Sequence, residues 1–491
     1  MKRLKSIDLI RPIAPLAVLL LSGCASIPKL GVAPKMATPA SFAADRSFAA
    51  FASSDWPGSN WWQGYRDPQL DGLVAEGLRG APDLAAAVAR VRRADAYAQE
   101  AGAARLPTID GSGSAGGTKQ SYNNGVPPAF VPRGWNNTGR VAVDLGFDLD
   151  LWGKNKAAFA AAQSDADAAG LDYAQATLTL STNIADAYAD FAQLFAQRSV
   201  QVTALEIRQQ TAGLTQDRVN SGLDTQAELR QAQAAVPSAR ADLAATDEQI
   251  ALTRNRIAAL LGKGPDRGLD LVPPTVSIAT REIPADVTTD LIGRRPDIVA
   301  ARTRVEAEAS RIKVARAGFY PAVSLSAVFG FQSLGLSNLL LGGSSFGSAG
   351  PAISLPIFHG GELQGKYRGA RATYDEAVAN YDRAVADAYH AVADAVVSQR
   401  ALGVRLAESQ QSLVDSQAAY SVARQRYEGG LSRFVDVLTA QDRALQAKRA
   451  VADLQARAFT LDIALVRALG GGFAAPAANG ANPTSKDNHR G

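Results

Sequence analysis

From Lys154 to Ser221, and again from Glu362 to Gly429, the chain contains no proline. A helix over either stretch would be about 100 Å long at 1.5 Å per residue, far beyond an ordinary globular helix. In the first, Ala174, Leu178, Ser181, Ala185, Tyr188, Ala192 and Phe195 recur at 4/3 spacing. Thr177, Leu180, Ile184, Ala187, Phe191 and Leu194 form a second row beside them. Two adjacent rows call for two helical neighbours. Gln175, Thr179, Thr182, Asp186 and Gln193 make a third, polar face. Periodicity alone also fits a long soluble coiled coil.

The two stretches belong to an internal repeat. "PDLAAAVARVRRADA" from Pro82 aligns with "PDIVAARTRVEAEAS" from Pro296, and Pro107 aligns with Pro321 at the same offset. "ADAY" at Ala185–Tyr188 recurs at Ala386–Tyr389, "RVNSGL" at Arg218–Leu223 recurs as "RYEGGL" at Arg426–Leu431, and Gly262 corresponds to Gly470. Each unit reads as short helix, strand, loop, strand, long helix, glycine turn and medium helix. The short helix (about 24 residues) and the medium one (about 39) together nearly match one long helix in length. Pro237 marks an expected kink in the first medium helix.

Strands are expected at about 108–117, 139–151, 322–332 and 349–358, with Gly-, Pro- and Ser-rich loops between partners. In "VAVDLGFDLDL", Val141, Val143, Leu145, Phe147, Leu149 and Leu151 alternate with Ala142, Asp144, Gly146, Asp148 and Asp150. Such a strand separates two different media, and the same alternation also fits a strand of a soluble sandwich. The first strand is Gly-rich and weak in pattern. Four strands are too few to close a barrel, which begins at about eight, and a lipid-facing open sheet would leave edge groups unpaired at several kcal/mol each. The chain is therefore expected to associate. Two copies would give about the minimum number of strands, and three would give a barrel wide enough for an aqueous lumen lined by Asp144, Asp148, Asp150, Ser324 and Ser326.

The N-terminus carries Lys2, Arg3, Lys5 and Arg11 ahead of an apolar stretch from Ile13 to Leu21 and then small residues, the layout of an export signal. The sole cysteine, Cys24, ends "LSGC", which resembles the lipobox of bacterial lipoproteins; cleavage before it would free the thiol for diacylglycerol. By the same resemblance, Ala25 in place of an aspartate favours the outer membrane. Without residues 1–23 the formal charge falls from +4 to +1, because four basic groups and Asp8 leave, so the basic balance gives no case for nucleic acid. No apolar run of about 18 or more residues follows Cys24.

Together the lipobox, the two repeats, the strand pairs between long helices and the two Gly-Leu turns resemble the outer-membrane factor family of tripartite efflux systems, with "RYEGGLSRFVDVLTAQ" the most specific segment. The resemblance implies an α+β homotrimer. Its twelve-stranded β-barrel would sit in the outer membrane, its α-helical barrel would cross the periplasm, and a periplasmic adaptor and an inner-membrane pump would dock at the far end. It places adaptor contacts at Arg218, Gly222, Leu223, Arg426, Gly430 and Leu431. A periplasmic gate is implied at Tyr427 with Glu228, an acidic constriction at Asp436, and Arg433 lies one position from the family's basic partner. Where some members have a second aspartate this chain has Thr439, which departs from a double ring.

No catalytic constellation is present. His359, His390 and His489 lack metal spacing, no cysteine pair exists, and neither "GKGPDRG" nor "LGGSSFG" is a P-loop. No cofactor and no enzyme activity are expected. The organisation expected is a signal over 1–23, a lipid-anchored and equatorial segment over 24–81, repeats over 82–262 and 296–470 joined by a linker over 263–295, and a disordered tail over 471–491. The function expected is a passive export duct for small molecules. Alternatives are a duct for type I protein secretion, a non-pore coiled-coil lipoprotein and a lipid-anchored enzyme.

Overall fold

The computed structural model describes residues 27–38, 41–42, 45–48, 55–278, 284 and 287–474. The export signal and Cys24 lie outside the described residues. The principal helices are α1 (Pro68–Gly80), α2 (Pro82–Ala103), α3 (Lys154–Asn220), α4 (Gln226–Leu260), α5 (Val287–Arg294), α6 (Pro296–Ala317), α7 (Glu362–Glu428) and α8 (Phe434–Ala468). The strands are β1 (Thr108–Thr118), β2 (Asn136–Asp148), β3 (Ala322–Leu334) and β4 (Ser345–Ser354). A succession of a 22-residue helix, two strands, a 67-residue helix and a 35-residue helix occurs twice. Helix α4 passes through Pro237 without interruption.

The described chain divides into two compact units. In the first, which takes in 91–169 and 301–381, the strands form one antiparallel sheet in the order β1-β2-β3-β4. Strand β1, "TIDGSGSAGGT", has one large apolar residue. It is held by eleven register pairs with β2, from Thr108 opposite Gly146 to Thr118 opposite Asn136. Strand β4 begins and ends about four residues earlier than the sequence suggests, because Ser345 to Gly350 pair with β3; Pro351 is tolerated on this edge strand.

The second unit takes in 37–90, 170–300 and the chain from 382. Its core surrounds the middle of α3, where Ile184, Ala185, Ala187, Tyr188 and Phe191 are fully buried against Trp61, Tyr65, Leu70, Leu73, Ile257, Leu261 and Ile463. The polar face read from the sequence is partly closed here. Thr182 is buried and accepts from Arg467 Nε at 2.9 Å, and Asp186 accepts from the same guanidinium at 2.8 Å. Desolvation raises the pKa of Asp186 despite that partner.

A residue with no counterpart in the repeat pattern ties this unit together. Asp67 caps α1 through Oδ1, accepting from Gln69 N and Leu70 N. Its Oδ2 accepts from the Tyr188 hydroxyl at 2.9 Å and Thr275 N at 2.8 Å. Burial raises the pKa of Tyr188 above the usual phenol range. The tail expected to be disordered from 471 is packed at its start. Gly471 and Gly472 have positive φ, and an added Cβ would strike Leu178 and Gly58 respectively. Residues beyond 474 lie outside the described residues.

Candidate functional site

The sheet sorts its residues by chemistry. Cross-strand register puts Leu145 opposite Ile109 and Ala327, Val143 opposite Phe329, and Phe147 opposite Leu325. Val141, Val143, Leu145, Phe329 and Ile353 are all exposed, so one face of the sheet is apolar and uncovered in the single chain. The other face carries Asp144 opposite Asp110, Asp148 opposite Ser324, and Ser326 opposite Gly146. Asp144 accepts from Ser112 Oγ at 3.2 Å. Among the described residues the outer edges of β1 and β4 have no partner strand.

Asp150, expected on the acidic face, is not on the strand. Strand β2 ends at Asp148, and Asp150 sits in a turn at φ 47°. Its carboxylate accepts from Asn155 N at 2.9 Å and Lys156 N at 2.8 Å, so it caps the first turn of α3. The unpaired N–H groups of a helix start draw in a nearby carboxylate more strongly than strand alternation holds it in register. Asp148 supports this turn as well, accepting from Asp150 N at 2.9 Å and Asn155 Nδ2 at 3.2 Å.

The two glycine turns share one geometry. At the end of α3, Leu223 N donates to Arg218 O at 2.8 Å and Gly222 N to Val219 O at 3.0 Å; at the end of α7, Leu431 N donates to Arg426 O at 2.7 Å and Gly430 N to Tyr427 O at 3.0 Å. These are Schellman caps, with Gly222 at φ 69° and Gly430 at φ 72° in the left-handed region. The leucine after such a cap usually packs on the residue five back, but here that residue is arginine. Leu223 and Leu431 stay 64% and 73% exposed. Arg426 is exposed too, beside a groove of about 670 Å³ lined by Ala419, Val422, Leu431, Arg433 and Asp436.

Arg218, expected to face a partner, is turned inward. Its Nε donates to Asp224 Oδ2 at 2.9 Å, its Nη1 donates to Tyr427 O at 2.7 Å, and its guanidinium carbon lies 4.3 Å from the centre of the Tyr427 ring. The hydrogen bond to Asp224 raises its pKa. Tyr427 is fully buried against Phe434, Val437 and Ala232.

The expected pairing of Tyr427 with Glu228 does not form. The Tyr427 hydroxyl donates to Asp224 Oδ2, and Thr215 Oγ1 lies 3.5 Å away. Glu228 is engaged in a capping box, accepting from Thr225 N at 2.7 Å while Glu228 N donates to Thr225 Oγ1. Asp436 occupies the matching position of α8, where it is exposed and accepts from Arg433 N at 3.1 Å. Asp224 stands where the second repeat has Ser432, an asymmetry between copies that could have singled it out in the sequence.

Among the described residues no group of three or more His, Cys, Asp or Glu could hold a metal, and no helix is long and apolar enough to cross a membrane. The family model "Outer membrane efflux protein" matches residues 73–263 and 287–471. The chain belongs to the outer membrane efflux protein family. It is 37% identical over 369 residues to the fusaric acid resistance protein FusA of Burkholderia cepacia, covering 73% of this chain and 69% of that protein. It is 28% identical over 431 residues to the multidrug resistance outer membrane protein MdtP of Shigella flexneri, covering 86% and 88%. The crystal structure of the outer membrane protein VceC from Vibrio cholerae superposes with a TM-score of 0.82 at 42% identity, covering 85% of this chain and 100% of that one. The α+β class is that of these efflux channels, which are not enzymes.

Proposed function

We propose that the protein is the passive exit duct of a tripartite efflux pump, working as a homotrimer with a periplasmic adaptor and an inner-membrane transporter. One observation carries this reading: a sheet with an uncovered apolar face, an acidic opposite face and two open edges. Such a sheet is unstable in lipid unless copies join edge to edge, and three copies supply twelve strands around a wet lumen. Asp144 and Asp148 then line water, and Val143, Leu145 and Phe329 meet lipid.

Small solutes are the cargo this reading favours over secreted proteins, because relatives carry names of resistance to fusaric acid and to multiple drugs. The buried Arg218–Asp224–Tyr427 cluster acts as the latch of the closed tip, with Asp436, Glu228 and Arg433 at its helix starts. Exposed Leu223, Leu431 and Arg426, with Gly222 and Gly430 shaping the turns, meet the adaptor. Cys24 carries the lipid anchor. Single-channel recording of the purified protein in a planar bilayer tests the duct: discrete cation-preferring conductance is expected. A non-pore coiled-coil lipoprotein would give none.

A further inference from the structure

Outside the lumen and the tips, one groove is chemically unusual. It lies where β2 ends and β3 begins, between the first turns of α3 and the last turns of α6, with a volume of about 500 Å³. Trp152 and Tyr320 form its upper wall. Their rings stack at 4.7 Å, and Trp152 Nε1 donates to Pro321 O at 2.7 Å, which fixes the indole in place. Ala157, Ala160 and Ala317 make an apolar floor, and Lys156, Lys313 and Arg316 surround it with no carboxylate in the lining. None of these three cations carries an ion pair among the described residues.

A neighbouring groove, which shares Trp152, Ala317 and Tyr320 with the first, provides the contrast. Its volume is about 640 Å³, and it is lined besides by Asp148, Asp150, Lys154, Arg311 and Lys366. Arg311 is compensated there by Asp165 and Glu308 and Lys366 by Glu362 at 2.5 Å, while Lys154 shares the lining with Asp148 and Asp150. Carboxylates therefore line this groove among its cations, and the first groove has cations with no carboxylate in its lining. Nor does the repeat explain them. In the other copy Lys313, Arg316 and Lys156 correspond to Gln99, Gly102 and Gln364, so the fold can be built without these charges.

We propose that this groove binds the headgroup of an anionic glycerophospholipid in the periplasmic leaflet of the outer membrane. Three unpaired cations match a phosphodiester, and stacked Trp and Tyr rings suit the level where headgroups meet acyl chains. Within the groove, Ala157, Ala160, Ala317 and the Trp152 and Tyr320 rings give the acyl chains an apolar surface that free phosphate could not use. The groove lies under the two central strands, away from the β1 and β4 edges through which copies would pair. The inference rests on the outward assignment of the apolar face made above.

The test uses the full chain purified in mixed micelles of phosphatidylglycerol and phosphatidylethanolamine, with retained lipid counted by native mass spectrometry. The wild-type protein should retain phosphatidylglycerol preferentially. Lys156→Gln with Lys313→Gln and Arg316→Gln should reduce that preference about tenfold, and Lys366→Gln on the neighbouring groove should leave it unchanged. If the triple variant does not assemble, the three single variants report the same ratio. Equal retention of both lipids by wild type, an unaltered preference in the charge variants, or displacement by millimolar inorganic phosphate would each overturn the assignment. Bilayer conductance of the same preparations reports the duct separately. A conducting protein without lipid preference removes this site and leaves the duct in place.

Discussion

The Tyr427 hydroxyl donates to Asp224 Oδ2 across 203 positions of sequence, and Arg218 Nε donates to the same oxygen. The side chains of Arg218 and Asp224 are 10% and 7% exposed, so this is a buried pair. Removing one partner of such a pair costs about 3–5 kcal/mol, because the other charge is left without compensation. Asp224→Ala should therefore loosen the tip, raising single-channel conductance several-fold and speeding hydrogen exchange around Tyr427. Glu228→Ala removes only a helix cap, at about 1 kcal/mol, and should change conductance little. The reverse order of effects would restore Glu228 as the gate residue.

Alkaline pH should weaken the same contact. Burial and then the bond to Asp224 push the Tyr427 pKa up to about 12, from about 10 in an unfolded chain. The neutral phenol is the stabilising form. Its contribution is complete below pH of about 10 and is lost as pH rises from there through about 12. Conductance recorded across pH 7 to 11 should stay low up to about 9 and rise above 10, and Tyr427→Phe should remove the tyrosine-dependent part of that rise. A rise between pH 5 and 8 would point to another group.

The faces of the sheet make a paired prediction. Leu145→Arg should impair membrane insertion by about 2–4 kcal/mol if the residue lies near the midplane, while Asp144→Asn should assemble normally and reduce cation selectivity. Heat-resistant oligomer on a gel reads the first effect and reversal potential in a salt gradient reads the second. Equal damage from both would reverse or abolish the assignment of faces.

Asp150 should behave as a cap and not as a lumen charge. Asp150→Ala removes an acceptor from two helix N–H groups at a backbone φ of 47° and should cost about 1–2 kcal/mol in thermal unfolding. Asp150→Asn, which tolerates that conformation, should cost less. Neither should move the reversal potential. A shift as large as that of Asp144→Asn would place the carboxylate back in the conduction path.

The anchor prediction concerns a residue outside the described ones. Cys24→Ala should abolish incorporation of labelled fatty acid and still yield a conducting oligomer, since acyl chains add only about 0.8 kcal/mol per buried CH₂ to the outer belt of a closed barrel. Undiminished labelling would remove the lipobox reading.

Features set by neighbours along the chain were legible in the sequence. Proline-free stretches bounded by Gly222 and Gly430 became 67-residue helices, because helix continuity and a left-handed cap are decided within a few residues. Alternation from Val141 to Asp148 became β2 with its two faces, because successive side chains on a strand must point to opposite sides. What only the tertiary structure decided was the partner of each group. Strand β1 has too little apolar pattern to announce itself and exists through its pairing with β2. Asp67 is an ordinary helix cap until Tyr188 and Thr275 are brought to it from distant segments. Tyr427 had two acids of the first repeat within reach. Glu228 was drawn into its own helix start through Thr225, and Asp224 went to the tyrosine, because burying Arg218 beside the ring required a carboxylate at that point in space.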